Sequence, residues 1–195
     1  MSIRKRFIDS IEFLRKMDFF KKYSNLTSEE IFEKMKKEYH IDLRRWIKRS
    51  TFEIDRYLAT EDEDRIWIQD TETLLDKGVE IEFLNNLARI SRGVFQPTYI
   101  RSEWSEKDNY TKCRVYFNYM NKEDFIDFIW DYDFLDISHA INKINEMIKN
   151  TGYQYYEIQI DDQRMLLTVL TNEEVKKLKE RGWKIIEKFE PFAFF

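Results

Sequence analysis

The chain has 195 residues, 43% of them hydrophobic and 16% aromatic, enough apolar material for a sizeable core in one domain or two small ones. Net charge is only −4 and no apolar run approaches the roughly 18 to 20 residues of a membrane helix, so neither a membrane span nor a membrane partner is expected. Glycine and proline number only 4 and 2, and the isolated Gly78, Gly93, Gly152 and Gly182 exclude the clustered-glycine phosphate loop and dinucleotide turn; no cofactor is expected.

The basic start "MSIRKRFIDSIEFL" is broken by Asp9, Ser10 and Glu12, so it reads as mature protein and not as a secretory signal. Ile3, Phe7, Ile11, Leu14 and Met17 recur at helical spacing and predict a long amphipathic helix ending near Ser24. "LTSEE" supplies a capping box, Thr27 with Glu30, for a second helix over 28–39. A third helical stretch, "IDLRRWIKRSTFEIDRYLA", places Arg44, Arg45, Lys48 and Arg49 on one face and Leu43, Trp46 and Ile47 on another. "ATEDEDR" at 59–65 is acidic, lacks large apolar side chains, and is read as a linker or exposed loop. "RIWIQ" then suggests a short strand, and 70–92 is mainly helical in pattern, although "GVEIEF" alternates as a strand would.

From Val94 the pattern turns to strands. "VFQPTYIRSEW" and "TKCRVYFNY" are strand-like, and "DFIDFIWDYDFLD" follows. As a strand, 125–135 turns Phe128, Trp130, Tyr132 and Phe134 to one face and Asp127, Ile129, Asp131 and Asp133 to the other. A four-residue loop over 121–124 would oppose Phe117 to Phe128, Arg114 to Asp131, Lys112 to Asp133 and Asn118 to Asp127. A helical reading with Asn121 as cap is the alternative. A helix bearing Ile137, Ile141, Ile144 and Ile148 comes next, then a hairpin of "YQYYEIQI" and "MLLTVL" around "DDQR", and a capped helix "TNEEVKKLKER". The fold class expected is α+β: an N-terminal helical region followed by an antiparallel β-sheet covered by helices. The divisions read from composition are a helical region 1–58, an acidic linker and helical segment 59–93, and an α+β part 94–195, or else one continuous domain.

Four groups of residues invite a function. Asp131 and Asp133 could hold Mg²⁺ or Mn²⁺ for a transferase or phosphoesterase, but a lone Asp-x-Asp is weak evidence and a solvated hairpin face is the simpler reading. Arg44, Arg45, Lys48 and Arg49 could contact phosphates, and a helix, short turn and basic helix have the layout of a DNA-reading motif. A solvated face paired through Glu53 competes with that reading. Cys113 with His139 and Asp136 could compose a thiol catalytic set, but Cys113 falls on an inward strand face where a thiol is inert packing. Phe192, Phe194 and Phe195 either dock back on the domain or insert into a partner or a second copy of the chain.

Charge is unevenly spread: residues 1–50 carry 14 Lys/Arg against 8 Asp/Glu, and 121–163 carry 3 against 10, a local −7. With one cysteine and no disulfide, the expected setting is cytoplasmic. The favoured function is a non-enzymatic protein-binding module of the inhibitor or immunity type. Its acidic, aromatic C-terminal part, Asp127 included, would meet a basic surface on another protein, or a second copy of the chain; a divalent-metal-dependent transferase or phosphoesterase using Asp131 and Asp133, and a nucleic-acid-binding regulator acting through Arg44 to Arg49, are the alternatives.

Overall fold

The computed structural model describes residues 1–70, 78–107, 110–131, 134–159 and 164–190. It is α+β, with N-terminal helices followed by two antiparallel four-stranded sheets. Helices α1 (Ile3–Arg15), α2 (Ser28–Glu38) and α3 (Thr51–Thr60) form one layer. The first sheet joins β1 (Ile66–Asp70), β7 (Arg164–Thr171), β6 (Tyr153–Gln159) and β8 (Ile185–Ile186) in that spatial order. Helices α4 (Val79–Ile90) and α5 (Ser138–Ile148) form the next layer. The second sheet, β2 (Thr98–Lys107), β3 (Tyr110–Tyr119), β4 (Lys122–Asp131) and β5 (Phe134–Asp136), lies beyond them, and α6 (Asn172–Glu180) returns to the first layer.

Strand alternation produces two cores on opposite sides of the first sheet. Ile66, Tyr156, Ile158, Leu166 and Leu170 face the N-terminal helices, while Trp67, Tyr155, Leu167 and Val169 face α4, α5 and the second sheet. Strand β7, covered on both faces, accordingly reads "MLLTVL" without polar alternation. A chain of edge-on rings crosses the second core, from Trp67 to Phe83 at 4.8 Å and from Phe83 to Phe128 at 5.1 Å. Among the described residues only one face of the second sheet is covered.

Several expectations need correction. The first helix stops at Arg15, well short of Ser24, because the chain turns through left-handed backbone at Asp18 and Phe20; the Phe20 N–H is taken by the Asp62 carboxylate. Segment 59–65 is not simply an exposed loop: Asp62 and Arg65 are buried, and Arg65 donates to the carbonyls of Met17 and Val169 at 2.5 and 3.1 Å. Residues 79–90 are helical, since Phe83, Leu84, Leu87 and Ile90 continue one buried stripe beyond the short alternating stretch. The loop around "DDQR" falls at 160–163, outside the described residues.

The third helical stretch is split. Residues Leu43–Trp46 make a single 3₁₀ turn, and α3 starts only at Thr51, behind Ser50. Ser50 accepts from the Glu53 N–H at 3.2 Å, and the Glu53 carboxylate takes the Ser50 N–H at 2.6 Å. This capping box starts a new helix where apolar spacing alone suggested a continuous one. No basic helix forms over 44–49.

Candidate functional site on the outward face of the second sheet

The hairpin of β3 and β4 turns through Met120 and Asn121 alone, with φ of 48° and 63°. Two left-handed residues make the tight turn whose twist matches paired strands, and the four-residue loop expected over 121–124 is absent. Every pairing therefore shifts by four positions. Arg114 opposes Asp127 instead of Asp131, Lys112 opposes Ile129, Asn118 opposes Glu123, and Phe128 opposes Cys113. Four is even, so each side chain keeps its expected face. Cys113, Val115, Phe117, Ile126, Phe128 and Trp130 are buried, and burial pushes the Cys113 thiol up to about 12. That thiol is packing, not a nucleophile.

The outward face is built in cross-strand rows. In the first, Arg101 lies 3.9 Å over the Tyr116 ring, Tyr116 is 6.1 Å from Phe125, and Arg114 covers Phe125 at 4.1 Å. In the second, Asp127 receives Arg114 through two hydrogen bonds of 2.7 and 3.0 Å, while Lys112 approaches at 2.7 Å. The Arg114 guanidinium holds the Asp127 carboxyl below the ordinary aspartate value; burial opposes this and Lys112 adds to it. Glu103 completes the row, accepting from Arg101 at 2.7 Å and from the Tyr116 hydroxyl at 3.2 Å.

Two further features mark this face. A bulge in β2 leaves Tyr99 in left-handed backbone, φ 54°, with 84% of its surface exposed. Bulges of this kind re-aim a side chain, and an aromatic residue held in strained backbone and turned to solvent serves no core. At the opposite edge, Lys143 of α5 lies 4.1 Å from Phe125, donates to its carbonyl and binds Asp124 at 2.6 Å. Between α5 and β4 lies a mainly apolar recess of about 350 Å³ bordered by Phe125, Ile126, Ile129, His139 and the stems of Lys112 and Lys143.

Of the residues singled out from sequence, Asp127 is placed here with Arg114 and Lys112 beside it, and His139 borders the recess. Asp131 ends β4 and its side chain lies outside the described residues, as do Asp133, Phe192, Phe194 and Phe195. Among the described residues, no group of three or more His, Cys, Asp and Glu is arranged to hold a metal ion. Arg44, Arg45, Lys48 and Arg49 are exposed around the 3₁₀ turn before α3; Arg44 is held by Asp42 at 3.1 Å and Arg49 by Glu53 at 2.8 Å. Arg101, Tyr99, Phe125 and Lys143 were not picked out beforehand. Phe125 shares the parity of Asp127 and Ile129, so strand alternation alone assigns it to the exposed face. The bulge at Tyr99 has no comparable sequence signal. No helix among the described residues is long and apolar enough to cross a membrane. Comparison with models of protein families, with curated proteins and with solved structures finds no match.

Proposed function

We propose that the chain is a non-enzymatic protein-binding module of the inhibitor or immunity type, with the outward face of the second sheet as its contact surface. The observation that carries this reading is the row Arg101, Tyr116, Phe125 and Arg114, in which aromatic rings and guanidinium groups form one exposed patch beside an apolar recess. Arginine and tyrosine dominate the energetics of protein interfaces, and such a recess suits an apolar anchor from the other side. The partner that fits is a protein with a basic surface. The −7 over residues 121–163 steers such a partner in, while the charge-compensated centre supplies close contact without leaving a charge unpaired.

The test is affinity capture from native cell extract with the wild-type chain and with a Tyr116→Ala/Phe125→Ala double variant, whose folding is checked by circular dichroism. One protein should be retained by the first and lost by the second, with affinity weakened at least about tenfold. Its association rate should also fall as salt rises. Capture of no specific protein, or equal capture by both chains, would overturn the reading.

A further inference from the structure

We infer that a second site lies between the Leu43–Trp46 turn, α3 and β1, and that it binds a small phosphate monoester carried on a flat ring, the chemistry of a nucleoside monophosphate. A recess of about 490 Å³ opens there, lined by Arg45, Trp46, Arg49, Arg56, Tyr57 and Ile68, within the size range of small-molecule sites. Three guanidinium groups converge on it against one carboxylate, Glu53. That carboxylate is already committed to the Ser50 N–H, the Ser50 hydroxyl and Arg49, so it offsets Arg49 alone. The carboxylate nearest to Arg45, Asp42, is 3.9 Å away and is engaged by Arg44 through bonds of 3.1 and 3.2 Å. Arg56 lies over the Phe52 ring at 5.6 Å and forms no ion pair among the described residues. Among the described residues Arg56 thus has no anion and Arg45 only a shared one at 3.9 Å, so two guanidinium groups can take up the double charge of a monoester; a phosphodiester, with one charge, would satisfy only one of them.

The walls specify the rest of the ligand. Trp46 and Tyr57, with centroids 4.6 Å apart, form an aromatic side, and Ile68, 42% exposed, forms an apolar one. A planar ring can stack there while its phosphate reaches the arginines. The turn is held in place beforehand: Arg6 of α1 donates to the Ile47 carbonyl at 3.4 Å and to the Arg49 carbonyl. Less ordering is then needed on binding.

Titration calorimetry of the full chain at low salt tests the inference with five probes: adenosine 5′-monophosphate, phenyl phosphate, adenosine, inorganic phosphate and a short oligonucleotide without terminal phosphate. The two ring-bearing monoesters should bind at least about tenfold more tightly than adenosine or inorganic phosphate. Preference between the first two tells whether a purine or a simple aryl ring suits the wall. An Arg45→Gln/Arg56→Gln variant, changed only at side chains outside the core, should keep its melting temperature and lose about tenfold or more in affinity for both. An Arg114→Gln variant should bind as the wild type does. No heat from either monoester, an undiminished affinity in the double variant, or tighter binding of an oligonucleotide lacking terminal phosphate would each overturn the inference.

Discussion

Asp127 takes hydrogen bonds from Arg114 and lies within ion-pair distance of Lys112, and its pH dependence follows from that. Because Arg114 holds its carboxyl below the ordinary value of 3.8, the folded chain binds this proton more weakly than the unfolded chain does. The stabilisation is complete above the unfolded value and is lost as pH falls through the lower folded one, a window below about pH 4. Asp127→Asn should therefore cost about 1 kcal/mol at neutral pH. It should also flatten the fall of the urea midpoint between about pH 5 and pH 2. Midpoints of variant and wild type that run parallel through that range would show that the ion pairs contribute nothing. The same residue shows how far sequence reasoning reaches at this scale. Parity places Asp127 on the polar face beside cations of the neighbouring strand, but which cation opposes it depends on the length of a turn.

At the scale of elements, that turn is the deciding feature. Met120 and Asn121 both occupy left-handed backbone, which costs a non-glycine residue such as methionine roughly 1 to 2 kcal/mol. Met120→Gly should relieve most of this and raise stability by about 1 kcal/mol. Asn121→Val should lower stability by a similar amount, since a β-branched residue tolerates that conformation least. Thermal denaturation of the two variants decides it, and a destabilised Met120→Gly would refute the assignment of strain to this hairpin. Helix boundaries were legible where a cap coincided with a change of pattern, as at Thr27 and Thr171. They were illegible where apolar spacing ran straight through a cap, as at Ser50, because period and cap there point to different helices. The strand signal in "DFIDFIWDYDFLD" survived as β4 because only alternation buries Ile126, Phe128 and Trp130 together, but the single strand expected over 125–135 ends at Asp131, and Phe134–Asp136 pairs back on it as β5.

For the molecule as a whole, the contacts that tie the layers together join residues far apart in sequence, and no local pattern announces them. Asp55 of α3 is fully buried and receives Arg181, at the end of α6, through two bonds of 2.9 and 2.8 Å. Arg92, after α4, reaches both Glu174 oxygens at 2.8 Å and also binds Asp18. In the sequence these were isolated charges. Asp55→Ala would leave Arg181 without its partner and is expected to cost about 3 kcal/mol in urea denaturation. Adding Arg181→Ala should cost much less than a second independent loss, because the stranded cation goes with it. An Asp55→Ala cost within a few tenths of zero would mean that this pair is solvated in solution.

The central position of β7 also bears on how the chain is made. The helices of the first layer close over a sheet whose middle strands, β6 and β7, are formed by residues 153–171, and β1 pairs with a strand about a hundred residues further along. At bacterial or eukaryotic elongation rates, that separation corresponds to roughly 5 to 20 s of synthesis. During that interval Phe7, Ile11, Ile31, Phe32 and Ile54 have no sheet to cover them. The apolar faces of the first helices thus wait uncovered while the chain grows from β1 to β7, and shortening it from the C-terminal side into β7 is expected to leave a sticky helical fragment and not a smaller folded protein.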